Sequence, residues 1–268
     1  MALGMPQLDV KLIVTAFGDT PARTRLVAKL LERMGRTDVP IGTGVKTGDA
    51  PHSQEQWLGS YAMARYPGRV HDDGVGAMIE AIHAESGPVV LLAIGPMTNV
   101  QAALERDPTI AHKARLVSMA GSVRCGYGPG SPPQPEYNVV QDVAAARAVF
   151  AAPWPITLAP LDSCIPVVLR GEEYGEVERS TSERARVVIE NYDQWTNRWR
   201  CPPDASSILF DCVAVYLCYA ESLCVMADVA LAVDDKGNTV EVAGGRPVRC
   251  ALDWKDLSAF KRLLIASL

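Results

Sequence analysis

No run of 18 apolar residues occurs anywhere in this chain, which excludes a membrane-spanning helix of ordinary length. No block of like charge stands out either. The chain sets 26 Lys and Arg against 31 Asp and Glu, for a net charge of −5, so the basic footprint of a nucleic-acid binder is missing. The seven cysteines (Cys125, Cys164, Cys201, Cys212, Cys218, Cys224 and Cys250) form no C-x-x-C pair, and the four histidines (His52, His71, His83 and His112) lie apart from them. That leaves neither a zinc pattern nor a disulfide framework. Free thiols in a reducing cytoplasm are expected, with Cys212 and Cys218 acting as small hydrophobes in an apolar helical pattern. The first residues show no basic segment followed by an apolar one, so no secretory leader is expected from them. What remains is 268 residues, 48% hydrophobic and 21% charged, the composition of a globular protein rather than a disordered one.

Hydrophobic patterning then predicts alternating strands and helices. Residues 8–16 read as a strand, followed by a helix over 21–34 that Thr20 caps, with Pro21 well placed at the first helical position. Val39-Pro40-Ile41 is a short strand, whereas residues 57–69 are ambiguous, with a turn at Tyr66-Pro67-Gly68. Gly74–Ala84 is helical, with Val75, Met78, Ile79 and Ile82 on one side. Residues 89–94 (VVLLAI) form a continuous apolar run of the kind that parallel sheets bury on both faces. A tight turn at Gly95-Pro96-Met97 leads into a helix that reaches Arg106. Further strands are predicted at 115–119 and 155–160, and helices at 143–151, 183–200, 206–220 and 255–266. Residues 226–233 and 239–242 flank Asp234-Asp235-Lys236-Gly237-Asn238, a hairpin signal. The fold class is α/β, a single domain over residues 1–268 with an open, mostly parallel sheet flanked by helices.

In such sheets ligands bind beyond the carboxyl ends of the strands. Those ends carry Phe17-Gly18-Asp19, Thr98-Asn99, Met119 with its loop, and Asp162. The loop after Met119 is rich in Gly and Pro and closes on Glu136-Tyr137-Asn138. Two polar side chains two residues apart at that place either form the lip of a small-molecule pocket or are solvated at a loop end. Asp211 stands among Leu209, Phe210, Cys212 and Val213. A carboxylate in that setting is paired, metal-bound, or a first-turn residue favoured by the helix dipole.

Several of these stretches together resemble one family. Ala93-Ile94-Gly95-Pro96-Met97-Thr98-Asn99-Val100, with Ala102-Ala103-Leu104 and Asp107-Pro108, resembles the GPLTNxAxAL…P stretch of the inosine–uridine-preferring nucleoside hydrolases (N-ribohydrolases). Met119-Ala120-Gly121-Ser122 is similar to their M-G-G strand end, Glu136-Tyr137-Asn138 to their E-F-N, and Pro160-Leu161-Asp162 to their P-L-D. Thr15-Ala16-Phe17-Gly18-Asp19 resembles their T-x-F-G-N turn. The resemblance implies hydrolysis of the N-glycosidic bond of ribonucleosides to base and ribose, in purine or pyrimidine salvage. It implies a buried Ca²⁺ held by aspartates of an N-terminal D-x-D-P-x-x-D-D motif, by the main-chain carbonyl of Thr98 and by Asp211. Glu136 and Asn138 would bind the ribose hydroxyls, with Met119 and Asp19 lining the sugar site. A hard cation takes six to eight oxygens, of which a vicinal diol supplies two. A small-molecule nucleoside is the expected partner, and a homo-oligomer, dimer or tetramer, the expected assembly.

Four departures from the family pattern carry consequences. The D-x-D-P-x-x-D-D motif is absent, which predicts that Met1 is not the natural start and that roughly 20–30 residues, one strand–turn–helix piece carrying the first central strand, precede it. Asp19 replaces an asparagine, and Phe210 replaces a histidine suggested to protonate the leaving base. The loop from Met119 to Glu136 is longer than the family form and is expected to set substrate choice. Tyr192, Trp195 and Trp199 are candidates to face the base or, alternatively, to pack in the core. The rival reading is a degenerate, non-catalytic binding or oligomeric scaffold, because the N-terminal aspartates are absent.

Overall fold

The computed structural model describes residues 1–49, 53–128, 130–196 and 202–268. In chain order its elements are β1 (Ile13–Val14), α1 (Thr20–Arg33), β2 (Ile41–Gly42), α2 (Glu55–Leu58), β3 (Val70–His71), α3 (Gly74–Ala84), β4 (Val89–Ala93), α4 (Thr98–Arg106) and β5 (Ala114–Met119). They continue with α5 (Tyr137–Val140), α6 (Val143–Ala151), β6 (Ile156–Ala159), α7 (Leu161–Cys164), α8 (Glu172–Glu178), α9 (Glu183–Thr196), α10 (Phe210–Leu217), β7 (Cys224–Val233), β8 (Thr239–Glu241), β9 (Pro247–Trp254) and α11 (Leu257–Ala266). None of the described helices is long and apolar enough to cross a membrane.

The chain folds into two compact units, neither of them a contiguous segment. The first comprises Met1–Ala81, Leu169–Ser207 and Leu263–Leu268, and the second comprises Ile82–Val168 and Ile208–Arg262. In the first unit β1, β2 and β3 form a short parallel sheet. Its core gathers Ala28 and Leu31 of α1 with Val39, Ile41 and Tyr66. The expected strand over 8–16 shrinks to Ile13–Val14, which among the described residues pairs only with β2. The cap of α1 also differs from expectation. Asp19 accepts the Ala22 N–H at 3.1 Å, while Thr20 is the first helical residue and its hydroxyl donates to the Gly44 carbonyl at 2.8 Å. A carboxylate at the helix N-terminus gains from the helix dipole as well as from the bond.

The second unit holds a six-stranded sheet in the order β4-β5-β6-β9-β7-β8. The first four of these strands run parallel, and β7 returns antiparallel to both β9 and β8. This is the open, mostly parallel sheet expected from the continuous apolar runs. All four residues of β6 are buried, as are all of β5 but Arg115, because helices cover both faces. The hairpin forms as its turn residues require. Asp234 accepts the Lys236 and Asn238 N–H groups at 2.8 Å, and Gly237 supplies a φ of +81°. The expected helix over 206–220 narrows to Phe210–Leu217, since the Leu209 N–H is taken by the Val167 carbonyl at 2.9 Å. That helix, α10, packs on β5 and β6 through its buried Val213–Leu217 face. The expected helix over 183–200 is seen as α9, and its last predicted turn lies outside the described residues. All six described cysteines are free thiols.

Candidate functional site

In the second unit, a cavity of about 560 Å³ opens beyond the carboxyl ends of β4 and β5. It falls within the ~300–1,000 Å³ range of small-molecule sites. Met119 ends β5 at its floor, Glu136 and Asn138 come from the start of α5, and Asp211 from the first turn of α10. Ile94, Tyr127, Tyr137 and Phe210 supply its apolar and aromatic walls. Four of the six predicted site residues therefore meet in one place. Thr98 opens α4 and its hydroxyl donates to Asp142 at 2.6 Å, but it is not among the residues lining the cavity. Asp19 belongs to the first unit, where its carboxylate caps α1.

The loop from Met119 to Glu136 is a built structure. Asp162, buried at the end of β6, accepts the main-chain N–H groups of Val123 at 2.9 Å and Arg124 at 2.8 Å. Thr239, at the start of β8, accepts the Ser122 N–H at 2.9 Å and returns its own hydroxyl to the Ser122 carbonyl at 2.8 Å. The Ser122 hydroxyl donates to the Cys125 carbonyl at 2.6 Å and accepts the Gln134 N–H at 3.1 Å, cross-linking the two arms. Gly121 is obligatory at the turn. Its φ is +83°, and a Cβ there would stand 2.8 Å from the Thr239 methyl.

Glu136 is 2% exposed and uses both oxygens on the main chain. Oε1 accepts the Asn138 N–H at 2.9 Å, and Oε2 accepts those of Gly121 at 3.2 Å and Val139 at 3.3 Å. Burial raises its pKa, and these N–H groups work against the rise. Asn138 donates to the Met119 carbonyl at 3.0 Å, which leaves its amide oxygen for other use. Asp211 differs from both. It accepts no hydrogen bond from the described residues, and its pKa is pushed up to about 7, first by burial and then by the charge of Glu136. A carboxylate so placed wants a cation, a proton or a hydroxyl donor. Beside it, burial pushes the Cys212 thiol up to about 11, so that thiol is no nucleophile at neutral pH.

The donor set does not amount to a calcium site. Asp211 contributes one uncommitted carboxylate, whereas Glu136 and Asp162 are committed to main-chain N–H groups. Among the described residues no group of three or more His, Cys, Asp or Glu could hold a metal ion. One carboxylate and a few carbonyls fall short of six to eight oxygens.

Phe210, which replaces the family's histidine, lines the aromatic wall with Tyr127 and Tyr137, two residues whose cavity position motif order does not mark. The one local signal for Tyr127 is its place between Gly126 and Gly128 in the long loop. Tyr192 and Trp195 pack together in the first unit with rings 5.9 Å apart, and the Tyr192 hydroxyl accepts the Ser207 N–H at 2.6 Å. Trp199 lies outside the described residues.

Fold and cavity together define an α/β protein with a cavity of small-molecule size beyond the carboxyl ends of parallel strands. The sequence model of the inosine-uridine preferring nucleoside hydrolases matches residues 1–261, and the chain belongs to that family. A probable uridine nucleosidase 1 of Oryza sativa subsp. japonica is 25% identical over 221 residues, covering 78% of this chain and 68% of that protein. The pyrimidine-specific ribonucleoside hydrolase RihA of Citrobacter koseri is 28% identical over 72% of this chain and 64% of its own length. RihA of Escherichia coli is 32% identical over 60% of this chain and 55% of its own length. The matched part of the chain thus spans between about half and two thirds of these relatives. Among solved structures, a plant nucleoside hydrolase, PpNRh1, superposes with a TM-score of 0.84 at 25% identity, over 99% of this chain and 92% of that one. A purine-preferring ribonucleoside hydrolase from Gardnerella vaginalis shares the fold, with a TM-score of 0.79 at 19% identity.

Proposed function

We propose that this chain binds a ribonucleoside in the second unit's cavity and hydrolyses its N-glycosidic bond, releasing base and ribose. The observation that carries the reading is Asp211, a carboxylate with no hydrogen-bond donor among the described residues, facing the same cavity as Glu136 and Asn138. Sugar hydroxyls are the donors that such a carboxylate and the Asn138 amide oxygen lack. As the bond to the base lengthens, positive charge grows on the sugar, and ionised carboxylates stabilise it more than they stabilise the neutral ground state. The aromatic wall accommodates the flat base.

Calcium is the cofactor that the resemblance implies, and the described donors do not complete a site for it, so no step is assigned to it. That shortfall favours one rival, a scaffold that binds nucleosides without cleaving them. Base release from uridine and inosine, followed by chromatography with excess Ca²⁺ and with chelator, separates the two. Release that disappears in Asp211→Ala supports the hydrolase, and binding without release supports the scaffold. A homo-oligomeric assembly, dimer or tetramer, and a cytoplasmic role in salvage belong to the same proposal. Sedimentation velocity tests the assembly.

A further inference from the structure

The long loop does more than close the cavity. It carries Tyr127 into the wall, where the tyrosine ring meets Phe210 edge to face, with centroids 6.3 Å apart and planes at 74°. The hydroxyl of Tyr127 accepts the Tyr137 N–H at 2.8 Å. Its own proton finds no acceptor among the described residues, although the ring lines the cavity. The Thr239 and Asp162 bonds anchor the start of the loop to β8 and to the end of β6, and the Ser122–Gln134 bond ties its two arms together, so the loop that carries the phenol is built before any ligand arrives. Burial raises the phenol's pKa, and it remains a donor throughout the neutral range.

Resting on the nucleoside reading above, we propose that Tyr127 selects the base: the nucleobase lies against Phe210 while the Tyr127 hydroxyl donates to its edge. Because the phenolic oxygen already accepts a main-chain N–H, the group meets the base as a donor. A donor is satisfied by a carbonyl or an unprotonated ring nitrogen and is opposed by an amino group. The hydroxyl is assigned to the exocyclic position of the base, where the carbonyl of uracil or hypoxanthine accepts its proton and the amino group of cytosine or adenine does not. The cost of a mismatch is the hydrogen bond that the amino group cannot accept.

The test is Tyr127→Phe, which keeps the ring and its packing. It is run beside Phe210→Leu, which keeps the hydroxyl and removes the wall. Base release from uridine, cytidine, inosine and adenosine is measured for each protein, and binding of uridine and of free ribose is measured by titration calorimetry. In Tyr127→Phe the ratio of kcat/KM for carbonyl over amino bases is expected to fall about fivefold, the worth of one hydrogen bond. Ribose binding should not change. Phe210→Leu is expected to weaken all four nucleosides alike. An unchanged ratio in Tyr127→Phe, with hydrolysis intact, overturns the assignment and leaves the hydrolase reading standing. If the wild type releases no base but binds uridine more weakly once Tyr127 is changed, the hydrolase reading fails and base selection stands. A wild type that binds no nucleoside overturns both.

Discussion

Replacing Asp162 should damage the site without touching the cavity directly. Its carboxylate accepts two main-chain N–H groups, from Val123 at 2.9 Å and Arg124 at 2.8 Å, and the side chain is buried. A hydrogen bond to a charged acceptor contributes about 1.5–3 kcal/mol, and an orphaned buried donor costs a similar amount. The Val123 N–H is buried, so in Asp162→Ala it loses its partner outright. The Arg124 residue is exposed, and water recovers part of the second bond. The sum is about 3 kcal/mol for Asp162→Ala and about half of that for Asp162→Asn, which keeps one acceptor oxygen. Urea unfolding at pH 7 measures the loss as a shift in midpoint at constant slope. Trypsin gives an independent reading, because the loop can be cut after Arg124 only when it leaves its anchor. Asp162→Ala should accelerate that cut more than it accelerates cleavage elsewhere. A stability change below about 0.5 kcal/mol, the size of an ordinary surface substitution, together with an unchanged cut would refute the idea that this carboxylate holds the loop.

Three further outcomes follow from the same geometry. Asp211 has a folded pKa raised to about 7 from 3.8, so the folded state binds a proton that the unfolded state has released between those values. The stability that this proton confers is fully present below about pH 4 and is lost as pH rises through 7, by at most about 4 kcal/mol. In metal-free buffer Asp211→Asn should therefore gain on the wild type between pH 4 and pH 8, and parallel stability curves would contradict this. Gly121→Ala should destabilise by about 2 kcal/mol, from the positive φ and from overlap with the Thr239 methyl. Adding Thr239→Ser removes that methyl and should recover only part of the loss, and complete recovery in thermal unfolding would exclude the backbone as a cause.

Much of this architecture was legible because burial on both faces leaves an unbroken apolar run. Residues 89–94, 115–119 and 155–160 became β4, β5 and β6 with ends shifted by a residue or so. The strand β9 escaped notice for the opposite reason. Its sequence is interrupted by Arg249 and Asp253, and Arg249 turns outward to Glu221 at 2.9 Å and Asp228 at 3.4 Å. Two-residue strands such as β3 are too short to show any period. Within the site, Glu136, Asn138, Met119 and Asp211 were recognisable through motif order, which tracks the strand ends. Asp19 holds its motif position in the first unit and serves there as a helix cap. Tyr127 and Phe210 meet across more than eighty positions of sequence, and neither carries a local sign of the other.

The mutual bonds between Ser122 and Thr239 join residues 117 positions apart. Closing so long a span exacts its entropy before any contact rewards it, and distant pairings of this kind form late. During synthesis, β5 and its loop leave the ribosome long before the β7–β8 hairpin exists to clasp them. The cavity wall is thus expected to be among the last features of the second unit to acquire its shape.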